Sequence, residues 1–259
     1  KEIKFDKEIV INNLNFKYEN SPKSTFENVN MKINKNEIVG IIGSSGSGKT
    51  TFSNIIMGLL KPNYGSVTVD ELDIAQNLKN WQEKISFVPQ EISLFDNTIK
   101  NNILFSNNFY DDNNKLLNNV INESQINELI KNLPEGLDTQ VGENGARISI
   151  GERQRIGIAR ALYKNPDILI FDEATSSVDN ETEYLIQKSL KEISQHCTTI
   201  VIAHRLSTLQ YVDKVLVLKS GRVQEFGTQR ELLVKKGIFY RLMHLQASSY
   251  NSLSGEENL

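Results

Sequence analysis

One cysteine, Cys197, stands in 259 residues. A lone thiol has no internal partner, which excludes a small secreted disulfide scaffold and fits a reducing compartment. Positive charge is not in excess either: 29 Lys and Arg face 32 Asp and Glu, a formal net charge of −3. The overall electrostatic footprint of a dedicated nucleic-acid binder is missing, and no nucleic-acid partner is expected. Long apolar runs are absent too. The longest, such as Val215–Leu218 and Ile168–Phe171, fall far short of the ~18 residues that span a bilayer, so no segment is read as crossing a membrane. No repeat or low-complexity block stands out beyond a bias towards Asn, read as compositional. The chain starts at Lys1 rather than Met and has no charged-then-apolar leader; a piece of a longer chain and a trimmed N-terminus both account for that.

Hydrophobic residues make up 39% of the chain, too many for a disordered tail protein. The length allows one large or two intimate domains at roughly 100–200 residues each. Ile9–Phe16 and Val29–Ile33 alternate apolar and polar residues, as half-buried strands do, and Glu37–Ile42 is a short apolar run typical of a buried strand. From Gly48 to Leu60 the residues Phe52, Ile55, Ile56 and Leu59 recur at helical spacing, and Lys61-Pro62-Asn63-Tyr64-Gly65 is expected to end that helix. From Glu91 to Lys164 polar linkers (Asn107–Asn114) alternate with amphipathic stretches (Leu116–Ile121, Ile126–Ile130), which reads as a mostly helical subdomain. Strands return at Asp167–Phe171, Thr198–Ile202 and Lys214–Leu218, with a helix over about Glu181–Ser194. Strand alternating with helix implies parallel strands covered on both faces. Ser220-Gly221 is expected to turn a hairpin into Val223–Phe226, followed by a short helical end and a frayed polar tail from Ser248 to Leu259.

The loop between the buried strand and the first helix is Gly43-Ser44-Ser45-Gly46-Ser47-Gly48-Lys49-Thr50, followed by Thr51. Its spacing is that of a phosphate loop, in the strand–loop–helix setting that the mechanism requires. The glycines let successive backbone N–H groups converge on an anion, the helix points its positive end at the same spot, Lys49 reaches terminal phosphates and Thr50 can hold Mg²⁺. A flexible Gly/Ser turn is the bland alternative. Further on, Ile168–Phe171 is an apolar strand ending in Asp172 and Glu173. Beside a phosphate loop, Asp172 is placed to hold Mg²⁺ and Glu173 to act as base for an attacking water; alone, the pair would pass for an acidic strand-to-helix turn.

In these motifs and their order the sequence resembles the ATP-binding-cassette family from about Ile9 to Leu245. The resemblance implies a P-loop NTPase core of α/β class with a mixed sheet, an N-terminal antiparallel β-subdomain and a helical subdomain carrying a signature segment. In residue ranges, it implies a nucleotide-binding domain over 1–247, with 1–90 and 163–247 as core plus β-subdomain, 91–162 as helical subdomain and 248–259 as a polar tail. Tyr18, in Phe16-Lys17-Tyr18, is similar to the aromatic residue that stacks on adenine, although a strand-end tyrosine would look the same. Gln90, after Phe87-Val88-Pro89, resembles the Gln loop that senses Mg²⁺ and the γ-phosphate and links to the transport partner. His204, in Ile202-Ala203-His204-Arg205, resembles the switch histidine; His196 and His244 lack such a context and read as surface or packing residues. Ser176-Ser177-Val178-Asp179 resembles the loop that carries an Asp across a dimer interface, and Asp179 is also an ordinary helix cap.

Ile148-Ser149-Ile150-Gly151-Glu152 occupies the signature position and departs from the usual Leu-Ser-Gly-Gly-Gln at three of five places. In the family this segment grips the γ-phosphate of ATP held by a second cassette, so the resemblance implies a head-to-tail dimer, with Ser149 and Gly151 contributing to the neighbour's site. Ser149 with Glu152 also forms the pattern of a capping box. Ile150 is the harder change, because a β-branched residue replaces a glycine and a positive φ would strain it. A homodimer is favoured over one half of a heterodimer. Thr139–Gly145 and Phe95–Ile103 resemble loops of exporter-type cassettes, which implies an attached transmembrane domain, ATP and Mg²⁺ as ligands, and a place on the cytoplasmic face of a membrane reached only through that domain. The texture, including Met57–Pro62, is closest to flippases of lipid-linked saccharides, although cargo is not legible in such a domain. A repair or chromosome-structure ATPase would need a long heptad insertion, a translation-associated cassette protein a second phosphate loop, and a small-molecule kinase would lack the signature-position helix and His204. A nucleotide-regulated binding module without turnover is the alternative if the signature is inactive.

Overall fold

The computed structural model describes residues 2–105, 114–172, 179–203 and 205–245. Glu173, Ser176, Ser177, Val178, His204 and the tail from Ser248 therefore lie outside the described residues. In chain order the elements are β1 (Glu8–Phe16), β2 (Phe26–Asn34), β3 (Ile38–Ile42), α1 (Lys49–Ile56), β4 (Tyr64–Val69), β5 (Leu72–Asp73), α2 (Leu78–Glu83), β6 (Ile85–Val88), α3 (Ile99–Leu104), α4 (Asn114–Glu123), α5 (Asn127–Asn132), α6 (Ile150–Tyr163), β7 (Ile168–Asp172), α7 (Asn180–Ile193), β8 (Thr198–Ile202), β9 (Lys214–Lys219), β10 (Arg222–Thr228) and α8 (Gln229–Lys235). Residues 238–245 are helical again. The fold is α/β, with an N-terminal antiparallel sheet in the order β2-β1-β4-β5 and a mixed sheet built from the later strands. The described residues form two compact units, one up to Leu78 and from Ile202 onward, the other Lys79–Val201.

In the first unit, β1 buries Ile9, Ile11, Leu14 and Phe16, and β2 answers with Phe26, Val29, Met31 and Ile33. Ile9 lies opposite Ile33 and Ile11 opposite Met31; on the other side of β1, Ile9 pairs with Val69 and Ile11 with Val67. The pairing slips where Asn13 and Asn28 take φ of 45° and 51°. Asn enters this left-handed region more readily than most residues because its short polar side chain bonds locally. Five of the eleven non-glycine residues with positive φ among the described residues are Asn, so part of the Asn bias has a conformational use.

β3 is buried at every position and runs parallel to β9, with Val39 opposite Lys214 and Ile42 opposite Val217. β9 turns into antiparallel β10 at Ser220-Gly221, with φ of 50° and 73°. This is the tight hairpin expected from the sequence, its twist matched to the strands. α1 packs Phe52 edge to face on Phe26, with ring centroids 5.9 Å apart. The helix ends at Ile56, four residues before the expected Leu60. Gly58 takes φ 69°; its N–H donates to Ile55 O at 3.0 Å and the Leu59 N–H to Asn54 O at 2.8 Å. That paired closure stops a helix at its glycine regardless of the apolar residue beyond.

In the second unit, β6 and β7 pair in parallel from Ile85 opposite Ile168 to Val88 opposite Phe171, and β8 lies on the far side of β7. α7 buries Ile186, Leu190 and Ile193 along one stripe. Asn102 on α3 is fully buried and fully used: its amide donates to Phe95 O and Thr98 O at 3.0 Å each, and its oxygen accepts from Phe95 N–H and Arg160 at 2.9 Å each. Such saturation makes a buried polar side chain tolerable, and it fastens the segment after Gln90 to α6. No described helix is long and apolar enough to cross a membrane.

At the β4–β5 turn, Asp70 accepts from the N–H groups of Asp6 (2.5 Å), Lys7 (3.0 Å) and Glu8 (2.8 Å). Burial pushes its carboxyl pKa up, but these donors outweigh burial and hold it below the usual 3.8. With the folded value below the unfolded one, the stabilisation is complete above the unfolded pKa and is lost as pH falls through the folded one. Asp70→Asn is tolerated at φ 46° and removes the charge and one of the two acceptor oxygens. It should lower the unfolding midpoint at pH 7, and the gap to the wild type should close in titrations taken below about pH 3.9.

Candidate functional site

The phosphate-loop residues follow directly on β3, whose buried strand delivers them to the surface. Ser44, Ser45, Gly46 and Thr50 are exposed, whereas Ser47 and Lys49 are buried. Gly46 and Gly48 take φ of 72° and 106°, a region that glycine enters without strain. At Gly48 a Cβ would also meet Phe26 Cζ at 2.9 Å, so the loop lies tightly on the β2 aromatic. Lys49 Nζ donates to Gly43 O at 2.8 Å and to Ser44 O at 3.2 Å. Ser47 donates its N–H to Ser44 O at 3.1 Å, while its buried Oγ has no hydrogen-bond partner among the described residues. The β9–β10 hairpin supports the loop: Gly221 N–H donates to Ser47 O at 3.2 Å, and a Cβ on Gly221 would lie 1.8 Å from Thr25 O.

Helix α1 starts differently from α3, α6, α7 and α8. Its N-cap, Gly48, offers no side-chain acceptor, and its first turn carries no acidic residue. Thr98 caps α3, Asp179 caps α7, and capping boxes of Ser149 with Glu152 and Thr228 with Glu231 close α6 and α8. Even the 238–245 helix is capped, since Glu225 accepts from Ile238 N–H at 2.5 Å and Phe239 N–H at 2.9 Å. The short α5 lacks a capping side chain but has Glu128 in its first turn. α1 thus presents first-turn donors and a positive helix end beneath a glycine-rich loop with an orphaned hydroxyl. That is the chemistry of an anion cradle, and a polyphosphate fits it. Tyr18, 43% exposed, stands at its rim, its hydroxyl 3.0 Å from Thr51 Oγ1 and its ring edge-on to Phe16 at 4.8 Å.

In the second unit, Gln90 is exposed at a cavity of about 470 Å³ that is also lined by Ile92, Asn144, Ile150 and Arg153. Its carbonyl accepts from Gln154 Nε2 at 2.6 Å. Asp172 is the half-buried last residue of β7. Ser149 is the N-cap of α6: its Oγ accepts from Glu152 N–H at 3.2 Å and its N–H donates to Glu152 Oε2 at 2.9 Å. Glu152 therefore keeps the cap, as the sequence suggests. The expected strain at Ile150 is corrected. Ile150 is the first residue of α6, absent from the positive-φ positions and 54% exposed; once Ser149 takes the extended cap conformation, the next residue is helical and accepts a β-branched side chain. Arg155 is 8% exposed; burial pulls its pKa down, and Glu152, Asp179 and Glu181 push it back up.

The described contacts bring Tyr18 to Thr51 and Lys49 to Gly43 and Ser44 in the first unit, and Ser149 to Glu152 in the second. Among the described residues no cluster of His, Cys, Asp and Glu is placed to hold a metal ion. Three residues near these sites went unread: Gly221 under Ser47, Gln154 on Gln90, and Thr182 beside Gly151. The hairpin glycine was legible as a turn, but no local pattern says which distant backbone it will touch.

A family model described as ABC transporter matches residues 26–176, more than half of the chain. The chain is 43% identical over 240 residues to ATP-binding cassette sub-family B member 5 of Mus musculus, covering 92% of this chain and 19% of that protein. It is 39% identical over 240 residues to the ATP-dependent lipid A-core flippase of Francisella tularensis, covering 92% of this chain and 39% of the relative. Among solved structures, a bacterial Atm1-family ABC exporter with ATP bound superposes with a TM-score of 0.85 at 34% identity, over 95% of this chain and 43% of that one. The chain spans less than half the length of each of these proteins. The chain belongs to the ABC transporter family, and the stretch it spans is that family's ATP-binding cassette.

Proposed function

We propose that the chain hydrolyses ATP with Mg²⁺ and thereby powers export by a transmembrane domain. The observation that carries this reading is the uncapped start of α1 under the Gly43–Gly48 loop. Tyr18 stacks on the base, backbone N–H groups from Gly43 to Thr51 and the Lys49 ammonium bind the phosphates, and Thr50, Asp172 and Gln90 are the residues that would hold the metal. Mg²⁺, when bound, neutralises phosphate charge as the terminal phosphoryl group leaves. Glu173 takes a proton from the attacking water, and His204 and Gln90 orient the terminal phosphate and the water. Ser149 and Gly151 complete the site of a second copy, so two chains close head to tail on ATP and part after hydrolysis, because the terminal phosphate supplies contacts present only in the closed state. Gln90 and the Thr139–Gly145 loop pass that motion to the membrane domain.

The names of the relatives support an amphiphilic cargo, a lipid or lipid-linked saccharide, with peptides and drugs as the other classes. The helical conformation of Ile150 removes the backbone objection to a homodimer, which we favour over pairing with a different chain. A regulatory module without turnover is the remaining alternative.

Two measurements test the reading. Glu173→Gln should cut phosphate release by about 10²–10⁴-fold while preserving ATP-dependent dimerisation; equal release by both proteins would refute the base assignment. Ile150→Gly should leave the turnover of the isolated homodimer no faster and lower its unfolding free energy by up to about 1 kcal/mol, since glycine loses more backbone entropy on entering a helix. A clear gain in turnover would instead point to a chain built for a partner with a better signature.

A further inference from the structure

The starts of α6 and α7 leave no room for a side chain between them. A Cβ on Gly151 would lie 2.4 Å from Thr182 Cγ2, 2.6 Å from its Oγ1 and 3.0 Å from its Cβ. Gly151 is a helical residue of α6 and is absent from the positive-φ positions, so its backbone would suit any L residue. Space, not torsion, excludes a side chain here. Thr182 cannot simply swing away: it is 8% exposed, β-branched and so stiff at χ1, and tied by two bonds. Its N–H donates to Asp179 Oδ1 and its Oγ1 to Asp179 Oδ2, both at 2.9 Å. The same pair of oxygens caps α7. One turn along α6, buried Arg155 feels the charges of Glu152, Asp179 and Glu181, so both helix starts share one charged neighbour.

We propose that Gly151 and Thr182 form a fixed seat between α6 and α7, with Thr182 a positioning residue that holds the Ser149 cap in register with Asp179. In sequence, Asp179 lies six residues after Glu173. The seat therefore ties the start of α6, which serves a second copy's site on the reading proposed above, to the capped start of α7. It assigns Gly151 an intramolecular reason to be glycine, separate from closeness to a partner's phosphate. The activity arm of the test rests on the hydrolytic reading above; the stability arm does not.

Four proteins decide it: the wild-type chain, Gly151→Ala, Thr182→Ala and the double variant, each measured for Mg²⁺-ATP turnover and for unfolding midpoint. Gly151→Ala should slow turnover by about tenfold or more, as a displacement of ångström size does at a reacting centre, and lower the midpoint. Thr182→Ala removes the two nearest atoms and leaves only its Cβ, at 3.0 Å, so the double variant should regain most of the midpoint and turnover that Gly151→Ala loses, a non-additivity expected only of residues in contact. A double variant as slow as Gly151→Ala would overturn the proposal, because the glycine would then be needed by something other than Thr182. An unimpaired Gly151→Ala would overturn it too. A wild-type chain without turnover would sink the hydrolytic reading instead, and the midpoints alone would decide the seat: recovery in the double variant supports it, and additive losses overturn it.

Discussion

The start of α1 has no side-chain acceptor, and the chemistry of the chain depends on that vacancy in the capping pattern. A helix begins with N–H groups that lack intrahelical partners. At α3, α6, α7, α8 and the 238–245 helix the chain satisfies some of them from within, with Thr98, Ser149, Asp179, Thr228 and Glu225. At α1 the cap is Gly48, and no carboxylate follows in the first turn. An internal acid there would compete with phosphate for the same donors and cancel the helix's positive end. Leaving the position empty sacrifices some helix stability in return for a site that attracts an anion of the right shape. The surrounding packing makes that sacrifice bearable: β3 is wholly buried, Phe26 and Phe52 clamp α1 to β2, and the hairpin N–H of Gly221 holds Ser47 from below.

Carboxylates do the opposite work across the rest of the chain. Asp70 gathers the N–H groups of Asp6, Lys7 and Glu8, and Asp213 accepts from Ile38 N–H at 2.7 Å, fastening the first residue of β3 to the loop before β9. Glu225 reaches from β10 to the 238–245 helix. These charge-assisted bonds link residues far apart in sequence and are stronger than neutral ones. A chain of near-zero net charge thus spends acids on its own backbone and places none in the first turn of α1, so the charge balance that spoke against nucleic acid in general says nothing against one nucleotide.

What was legible in the sequence was local. Period-two alternation placed β1, the Ser-x-x-Glu spacing placed the cap of α6, and Ser220-Gly221 placed its hairpin, because each depends on residues within one or two turns of each other. At α1 the apolar stripe overran a local stop, because Gly58 closes the helix onto Ile55 and Asn54 before Leu59 can join it; tertiary pairing lies beyond such local reading. It also gave a use to asparagines that looked like compositional bias, since a positive φ at Asn13 or Asn28 is imposed by the register of a strand pair and not by neighbours in sequence. Ile150 failed for the reverse reason. A motif position usually held by glycine was assumed to need glycine's torsion angles, whereas the cap at Ser149 supplies the extended residue and leaves the next one helical.

Ile150 and Gly151 therefore separate two demands that a Gly-Gly pair hides. At the first position torsion and packing both permit a side chain, and the chain carries an exposed isoleucine there. At the second, torsion permits a side chain but Thr182 excludes it, and the chain keeps its glycine. If approach to a partner's phosphate were the sole requirement on this segment, both positions would face it, and a β-branched residue at the first would be as poorly placed as one at the second. The asymmetry follows from the packing of α6 on α7, a constraint that lies within the chain itself.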